Sequence, residues 1–467
     1  MLVAVVGTSF CSLNFSSLTD LTPKCFPHFD HIQKLLSLSA TSDMQHTKNI
    51  ILDQKTWMFQ AKYPISYEVA SNADIDVNNK DVEVVPILLL NGFGVGSFHQ
   101  HRLMRNLLLE HDEQKEKKQQ YVIYGIDYLG QGQSWPANCD DGNSNDELNL
   151  GYSADTWLKQ LKGFIEEVVI PSSTSSKVHL VGNSVGGYLS TILANRHPQL
   201  IDSLTLLNAT PVWGLNLPGW NGKLPAPPLP KMVGRKLFDT IRNLDVIDWY
   251  LEQAYFYREA HDGSFDDSFH GYADDVRADR TLRGKIRACT EGKGGHAAFA
   301  SILWSSPASV EHSTTLSEAV EYGMGPPELV QKSGDEIYTD FYGALENLPV
   351  DVLLLFGSDD PWCTPAIAKR MHSTLASRGG TAGQRYVSFE NVGHCPNHEA
   401  PTAVVRVLLP WIGSQITDEQ QRSKVPLVSE SSQQIREPWG VVNVREVPVE
   451  ESRDLGLMDQ IISSLFG

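Results

Sequence analysis

The chain has 467 residues, with 38 basic and 56 acidic side chains, for a formal charge of −18. An acidic excess of that size repels a phosphate backbone, and no basic run offers a local face for one, so nucleic acid is excluded as a partner. Hydrophobic residues make up 41% and charged residues 20%, a globular balance, and no run approaches the roughly 18 apolar residues of a membrane-spanning helix.

Residues 1–48 open on MLVAVVG and are rich in Ser and Thr, with Asp20 as the first acid. They lack the basic start of a secretory signal, so an organelle transit segment and an unstructured leader both fit. From Lys55, KTWMFQAKYPISYEVA alternates aromatic and β-branched residues and reads as a β-meander leading into the buried strand VEVVPILLL. Further apolar strands are expected at 120–127, 177–183, 201–209, 350–358 and 384–391. Helix-length text lies between most of them, as at 153–170 and 186–198. Strands rich in Val, Ile and Leu that alternate with helices imply a mostly parallel sheet covered on both faces.

The alternation stops between the strand ending near 209 and the one starting at 350. An insertion between core strands is expected to form a helical cap over the ligand-binding edge of the sheet. The expected organisation is a core of 49–212 and 348–413, a cap of 213–347, and a polar, peripheral tail of 414–467 ending in LGLMDQIISSLFG. The six cysteines, Cys11, Cys25, Cys139, Cys289, Cys363 and Cys395, show no CxxC or metal-ligand spacing, which fits a reducing interior.

The strongest local signal is VHLVGNSVGGYLSTIL, where Gly182, Ser184 and Gly186 form G-x-S-x-G between an expected strand and an expected helix. A sharp strand-to-helix turn exposes the serine hydroxyl and needs small flanking residues to close. A glycine-rich turn with an ordinary serine shares these letters; the flanking elements favour a nucleophile. A serine nucleophile needs a base, and the base a partner that holds its tautomer. Asp360, in GSDDPW, and His394, in NVGHCPNHE, follow late strands in the order Ser, acid, His. Asp359 is the alternative acid and His398 the weaker alternative base. Main-chain N–H groups of Phe93, in NGFGVGSFHQ, and of Val185 are the expected oxyanion donors.

The insertion carries Trp213, Trp220, Trp249 and Trp304, and Trp362 adjoins Asp360. Trp213, Trp304 and Trp362 are candidates for lining an apolar substrate pocket, although tryptophans of a helical subdomain more commonly fill its core. Cys363 and Cys395, beside the expected acid and base, read as small buried hydrophobes.

The segments NGFGVGSFHQ, IDYLGQGQSWP, VGNSVGGYLS, LTLLNATPVWG, FASILWSSP, GSDDPW and GHCPNHEAP together resemble the α/β-hydrolase fold family, and within it the pheophytinase and chlorophyll-dephytylase group of plants and algae. The resemblance runs from about Lys55 to Ile412. Val185 stands where that group commonly has leucine, and the stretch Ala260 to Gly295 is longer and more acidic. The resemblance implies a Ser184–Asp360–His394 triad that hydrolyses the phytyl ester of a chlorophyll pigment, with or without its magnesium, in a plastid. A cytoplasmic location is the alternative. The chemistry calls for no metal and no organic cofactor. A membrane-dissolved ester would bring the apolar cap, and the LGLMDQIISSLFG tail, to a membrane surface. A general esterase or lipase on the same fold, and a ligand-binding protein that retains the fold without turnover, are the alternatives.

Overall fold

The computed structural model describes residues 50–72, 82–112, 119–136, 150–263, 281–292, 294–309, 330–333, 336–413, 426–428 and 433–454. The expected leader and the LGLMDQIISSLFG segment lie outside the described residues, as does much of the acidic stretch of the insertion.

Chain order begins with an antiparallel hairpin, Ile50–Phe59 (β1) and Tyr63–Asn72 (β2). Its turn uses Gln60 and Ala61 at φ 54° and 55°, a left-handed pair that matches the twist of the strands it joins. Glu83–Leu90 (β3), Gln119–Ile126 (β4), Val178–Asn183 (β5) and Ile201–Leu207 (β6) follow. The helices between them are His101–Asp112 (α1), Ala154–Phe164 (α2) and Val185–Arg196 (α3). Ser153 starts α2 by accepting the Thr156 N–H at 3.2 Å, which satisfies one of the donors a helix start leaves open.

Between β6 and the next core strand the chain leaves the sheet. Pro228–Ile241 (α4), Leu244–Ala254 (α5), Leu282–Ala288 (α6) and Gly295–Trp304 (α7) form the helices of this segment. Val330–Ser333 (β7) and Glu336–Thr339 (β8) pair as a separate antiparallel ribbon, and Phe341–Glu346 (α8) leads back to the core. A Cβ on Gly234 would lie 2.4 Å from Ala300 Cβ, so the glycine lets α4 lie close against α7. Asp351–Gly357 (β9), Pro365–Ser377 (α9), Gln384–Glu390 (β10), Pro396–Glu399 (α10) and Pro401–Gly413 (α11) complete the parallel region.

The ten-stranded sheet has the order β1-β2-β4-β3-β5-β6-β9-β10, with two further strands beyond β10. Every neighbouring pair from β4 through β10 is parallel. Successive side chains of a strand point to opposite faces, and here both faces are covered. Val84, Leu88 and Leu90 join one core with Trp157 of α2, Leu189 of α3 and Met371 of α9. Val85, Ile87 and Leu89 join the other with Leu107 of α1 and Trp411 of α11. The chain steps from β3 outward to β4 and then returns to β5 on the other side. That reversal opens a crevice at the carboxyl ends of β3 and β5, where α/β sheets bind ligands.

The expectation of a peripheral polar tail is corrected. Gln433–Glu437 (β11) and Gly440–Glu446 (β12) extend the sheet beyond β10, with β12 antiparallel to β10 and Val444 opposite Phe389. Val449–Arg453 (α12) then packs near α9, where Ser452 Oγ lies 2.8 Å from His372 Nδ1. The segment looks polar because apolar residues alternate with polar ones; Ile435, Val442 and Val444 are buried while Arg436 meets solvent, and the Glu437 carboxylate is buried where it accepts from Thr402 Oγ1 and the Ala403 N–H.

Val444→Ala removes two methyl groups from a filled site and is expected to cost about 2 kcal/mol in urea unfolding. Deleting residues after 432 is expected to lower the thermal midpoint far more. An unchanged midpoint would show that β12 adds nothing to the core.

Candidate active site

Ser184 sits at the end of β5 with φ 54° and ψ −119°, a strained conformation for a side-chain-bearing residue. The strain is imposed by close main-chain packing. A Cβ on Gly182 would come 2.5 Å from Gly186 O, and one on Gly186 would come 2.4 Å from Leu90 O. Neither position tolerates a side chain without movement. Ser184 N–H donates to Leu207 O at 3.1 Å, and Ser184 O accepts from Gly187 N–H at 2.9 Å, so the turn is locked to β6 and to α3.

Asp360 lies just past β9 and is buried. Its Oδ2 accepts from His394 Nδ1 at 2.6 Å and from Asn208 Nδ2 at 2.7 Å, while Oδ1 accepts from Trp362 N–H at 2.8 Å. Burial alone would raise this carboxyl, but the His394 ring and the three donors outweigh it and hold it below the ordinary value. The ionised form therefore persists at neutral pH, and the pair's contribution to stability fades only as pH falls through that lowered value. With an ionised acceptor on Nδ1, the ring carries its proton there and presents Nε2 as the free base.

His394 is held at its main chain as well. Its N–H donates to Ala254 O at 2.7 Å, and its carbonyl accepts from Asn183 Nδ2 at 3.0 Å. The Trp362 indole stands edge-on to its ring at 4.9 Å between centroids. Asp359, the alternative acid, instead accepts from Ser358 Oγ and Asn391 N–H at the surface. His398, the alternative base, lies behind the site. It stacks on His99 at 4.9 Å and contacts Tyr255 Oη and Arg102.

The loop after β3 brings Gly92 against the nucleophile candidate. A Cβ there would meet Ser184 Cβ at 3.3 Å. The loop is pinned from three sides: Asn91 Nδ2 donates to Val95 O at 2.9 Å, Gly94 N–H donates to Gln131 Oε1 at 3.0 Å, and Ser97 N–H donates to Asp127 Oδ1 at 2.6 Å. Burial lifts Asp127 to about 6 despite its hydrogen bonds from the Gln133 and Ser97 main chain. The N–H groups of Phe93 and Val185 donate to no other described main-chain group. Val185 opens α3, where helix geometry leaves N–H groups without an internal acceptor.

Ser184, Phe93 and His394 line one shared pocket. Its far wall is apolar and comes from the inserted helices, with Ile241, Ile247, Tyr250 and Leu251. Trp362 lines it. Trp213 and Trp304 do not line this cavity, which corrects that expectation. Trp213 packs between Trp157 and Tyr188 with its indole N–H on Ser305 Oγ. Trp304 packs with Phe238 and Phe299 and donates to Pro218 O. Both are core residues whose polar atom is already satisfied.

A model of the alpha/beta hydrolase family matches residues 87–407, more than half of the chain. The chain belongs to this family. A chloroplastic pheophytinase of Arabidopsis thaliana is 26% identical over 377 residues, covering 76% of this chain and 65% of that protein. The hydrolase-family chain therefore spans just under two thirds of that relative's length. A proline iminopeptidase of Lactobacillus acidophilus is 27% identical over 338 residues, 71% of this chain and 90% of the relative. Among solved structures, an esterase from Exiguobacterium antarcticum aligns with a TM-score of 0.48 at 15% identity, over 78% of this chain and all of that one.

Two residues of this alpha/beta hydrolase site escaped the sequence reading. Asn208, at φ 39° after β6, donates to Asp360 and accepts the Gly357 N–H at 2.8 Å; its signal is the NATP string. Glu399, in HEAP, reaches back to the loop that carries His394. Asp360, Cys363 and His394 place three ligand-type atoms within 4.8 Å of one another. Burial, reinforced by Asp360, keeps the Cys363 thiol well above its ordinary value, so it stays protonated, and His394 Nδ1 is committed to Asp360. The trio is a poor metal site.

Gly186→Ala places a methyl group against the Leu90 carbonyl and is expected to cost about 1–3 kcal/mol as overpacking. Urea unfolding of the purified variant checks this; an unchanged midpoint would mean that the turn has room the packing does not show.

Proposed function

We propose that the protein is a serine carboxylic-ester hydrolase whose substrate is a large lipophilic ester, and specifically the phytyl ester of a magnesium-free or magnesium-bearing chlorophyll pigment. The observation that carries the reading is the 2.6 Å contact of His394 Nδ1 with buried Asp360 in a pocket shared with the strained Ser184. In this mechanism His394 Nε2 takes the Ser184 proton as Oγ attacks the ester carbonyl. The Phe93 and Val185 N–H groups hold the oxyanion, each contributing a few kcal/mol. Protonated His394 gives its proton to the departing alcohol, and water activated by the same ring releases the acid.

The apolar wall supports a lipophilic alcohol or acyl group. No aspartate or glutamate lines the cavity among the described residues, and a buried α-ammonium group would need one, which weighs against an aminopeptidase like the bacterial relatives. The motif resemblance and the Arabidopsis relative favour the pigment ester and a plastid setting. Leu229, Met232, Leu244, Trp249 and Phe256 of the inserted segment are exposed, apolar side chains suited to a membrane surface that carries such a substrate.

Purified protein incubated with pheophytin and with chlorophyll is expected to release phytol, read by chromatography, and Ser184→Ala is expected to release none. Release from neither pigment, with short-chain esters still cleaved, would leave a general esterase. Failure to react with a fluorophosphonate probe would favour a ligand-binding protein. Asp360→Asn is expected to lower kcat by about a thousandfold to ten-thousandfold with KM little changed.

A further inference from the structure

We propose that Glu399 is a positioning residue for His394, tying the loop that carries the histidine to the end of the cap helix α5. The inference rests on the hydrolase reading for its kinetic consequence and on geometry alone for the tie itself.

The Glu399 side chain is buried and works through both oxygens. Oε2 accepts the Gly393 N–H at 2.7 Å, and Oε1 accepts the Tyr257 N–H at 2.6 Å. One residue further along, His394 N–H donates to Ala254 O at 2.7 Å. These three bonds close a ring that runs Gly393, His394, Ala254, through to Tyr257, and back through the carboxylate. The approach is tight as well: a Cβ on Gly393 would lie 2.1 Å from Ala254 O. Ala254 and Tyr255 also line the cavity. A ligand that presses on the end of α5 therefore presses on the main chain of His394.

The ring is supported from behind. Trp439 Nε1 donates to the Glu399 carbonyl at 2.8 Å, and Tyr257 Oη donates to Val441 O at 3.0 Å. Neither a glutamine nor an aspartate reproduces it. Glutamine has one acceptor oxygen, and its amide would turn N–H toward N–H; aspartate is one methylene too short to span both donors. Truncation would leave two buried N–H groups without acceptors, each a substantial loss.

Titration of the carboxyl gives the device a pH dependence. Burial outweighs the hydrogen bonds from the Tyr257, Gly393 and Phe256 main chain and lifts the Glu399 carboxyl to about 7. The charged and titratable groups around it are Asp359 after β9, Cys395 on the histidine loop, and Tyr255 at the end of α5, with Arg102 of α1 behind His398. Above that value both oxygens accept. Below it one oxygen carries a proton, and one arm of the tie weakens.

The test uses the full chain and its Glu399→Gln variant. With a short-chain p-nitrophenyl ester, kcat is expected to fall about tenfold to a hundredfold while KM stays within about twofold. The hydrogen-bonded His394 Nδ1 proton resonance is expected to shift in a variant that melts as a folded protein. An unchanged resonance and unchanged kcat would overturn the proposal, and so would parallel losses of kcat and folded fraction. The resonance reads the tie even without turnover, so failure of the hydrolase reading is separable from failure of this one. If the variant does not fold, hydrogen exchange in the wild-type chain decides. Protection of the Gly393 and Tyr257 amides is expected to weaken together as pH falls through neutrality, after correction for intrinsic exchange, and independent behaviour would refute the coupling.

Discussion

The structure depends on bare main chain touching bare main chain at the end of β5. Gly186 lies against the Leu90 carbonyl and Gly182 against that of Gly186, so β3, β5 and α3 meet with no side chain between them. That approach forces Ser184 into its strained conformation, sets the open end of α3 beside the loop of Phe93, and places the crevice where the order of strands reverses. Asp360 and His394 reach the same edge because β9 and β10 run parallel to β5 and end on the same side. The family match and the topology agree on this framework, and loops and inserted helices adapt it to a particular ligand.

The framework was legible because it is written in local terms. A strand that is apolar at nearly every position, such as VEVVPILLL, has to be covered on both faces, and helices lying between parallel strands give right-handed crossovers. The spacing of Gly182, Ser184 and Gly186, followed by an acid and a histidine after later strands, located the groups that the fold gathers. None of this required knowledge of distant contacts.

What could not be read depended on partners far away in the chain. Whether a tryptophan meets substrate or core is decided by where its indole N–H finds an acceptor, and for Trp213 and Trp304 those acceptors are Ser305 and Pro218. The strands β11 and β12 mix amide and charged side chains with their apolar ones, which hides Ile435, Val442 and Val444 in text that reads as a solvated tail. Asn208 and Glu399 act on residues about 150 positions away, on Asp360 and on Tyr257. No periodicity announces such bonds.

The C-terminal hairpin carries a consequence for how the molecule is made. β10 precedes β12 by about fifty residues in sequence, so it leaves the ribosome first. Until β12 emerges from the ribosome, the outer edge of β10 is uncovered, and Tyr257 has neither Val441 to bond nor Trp439 beside it. The loop that carries His394 is thus synthesised before the hairpin that braces it. The brace is therefore among the last parts of the described fold to be made, and a nascent chain stalled ahead of Trp439 lacks both of its contacts.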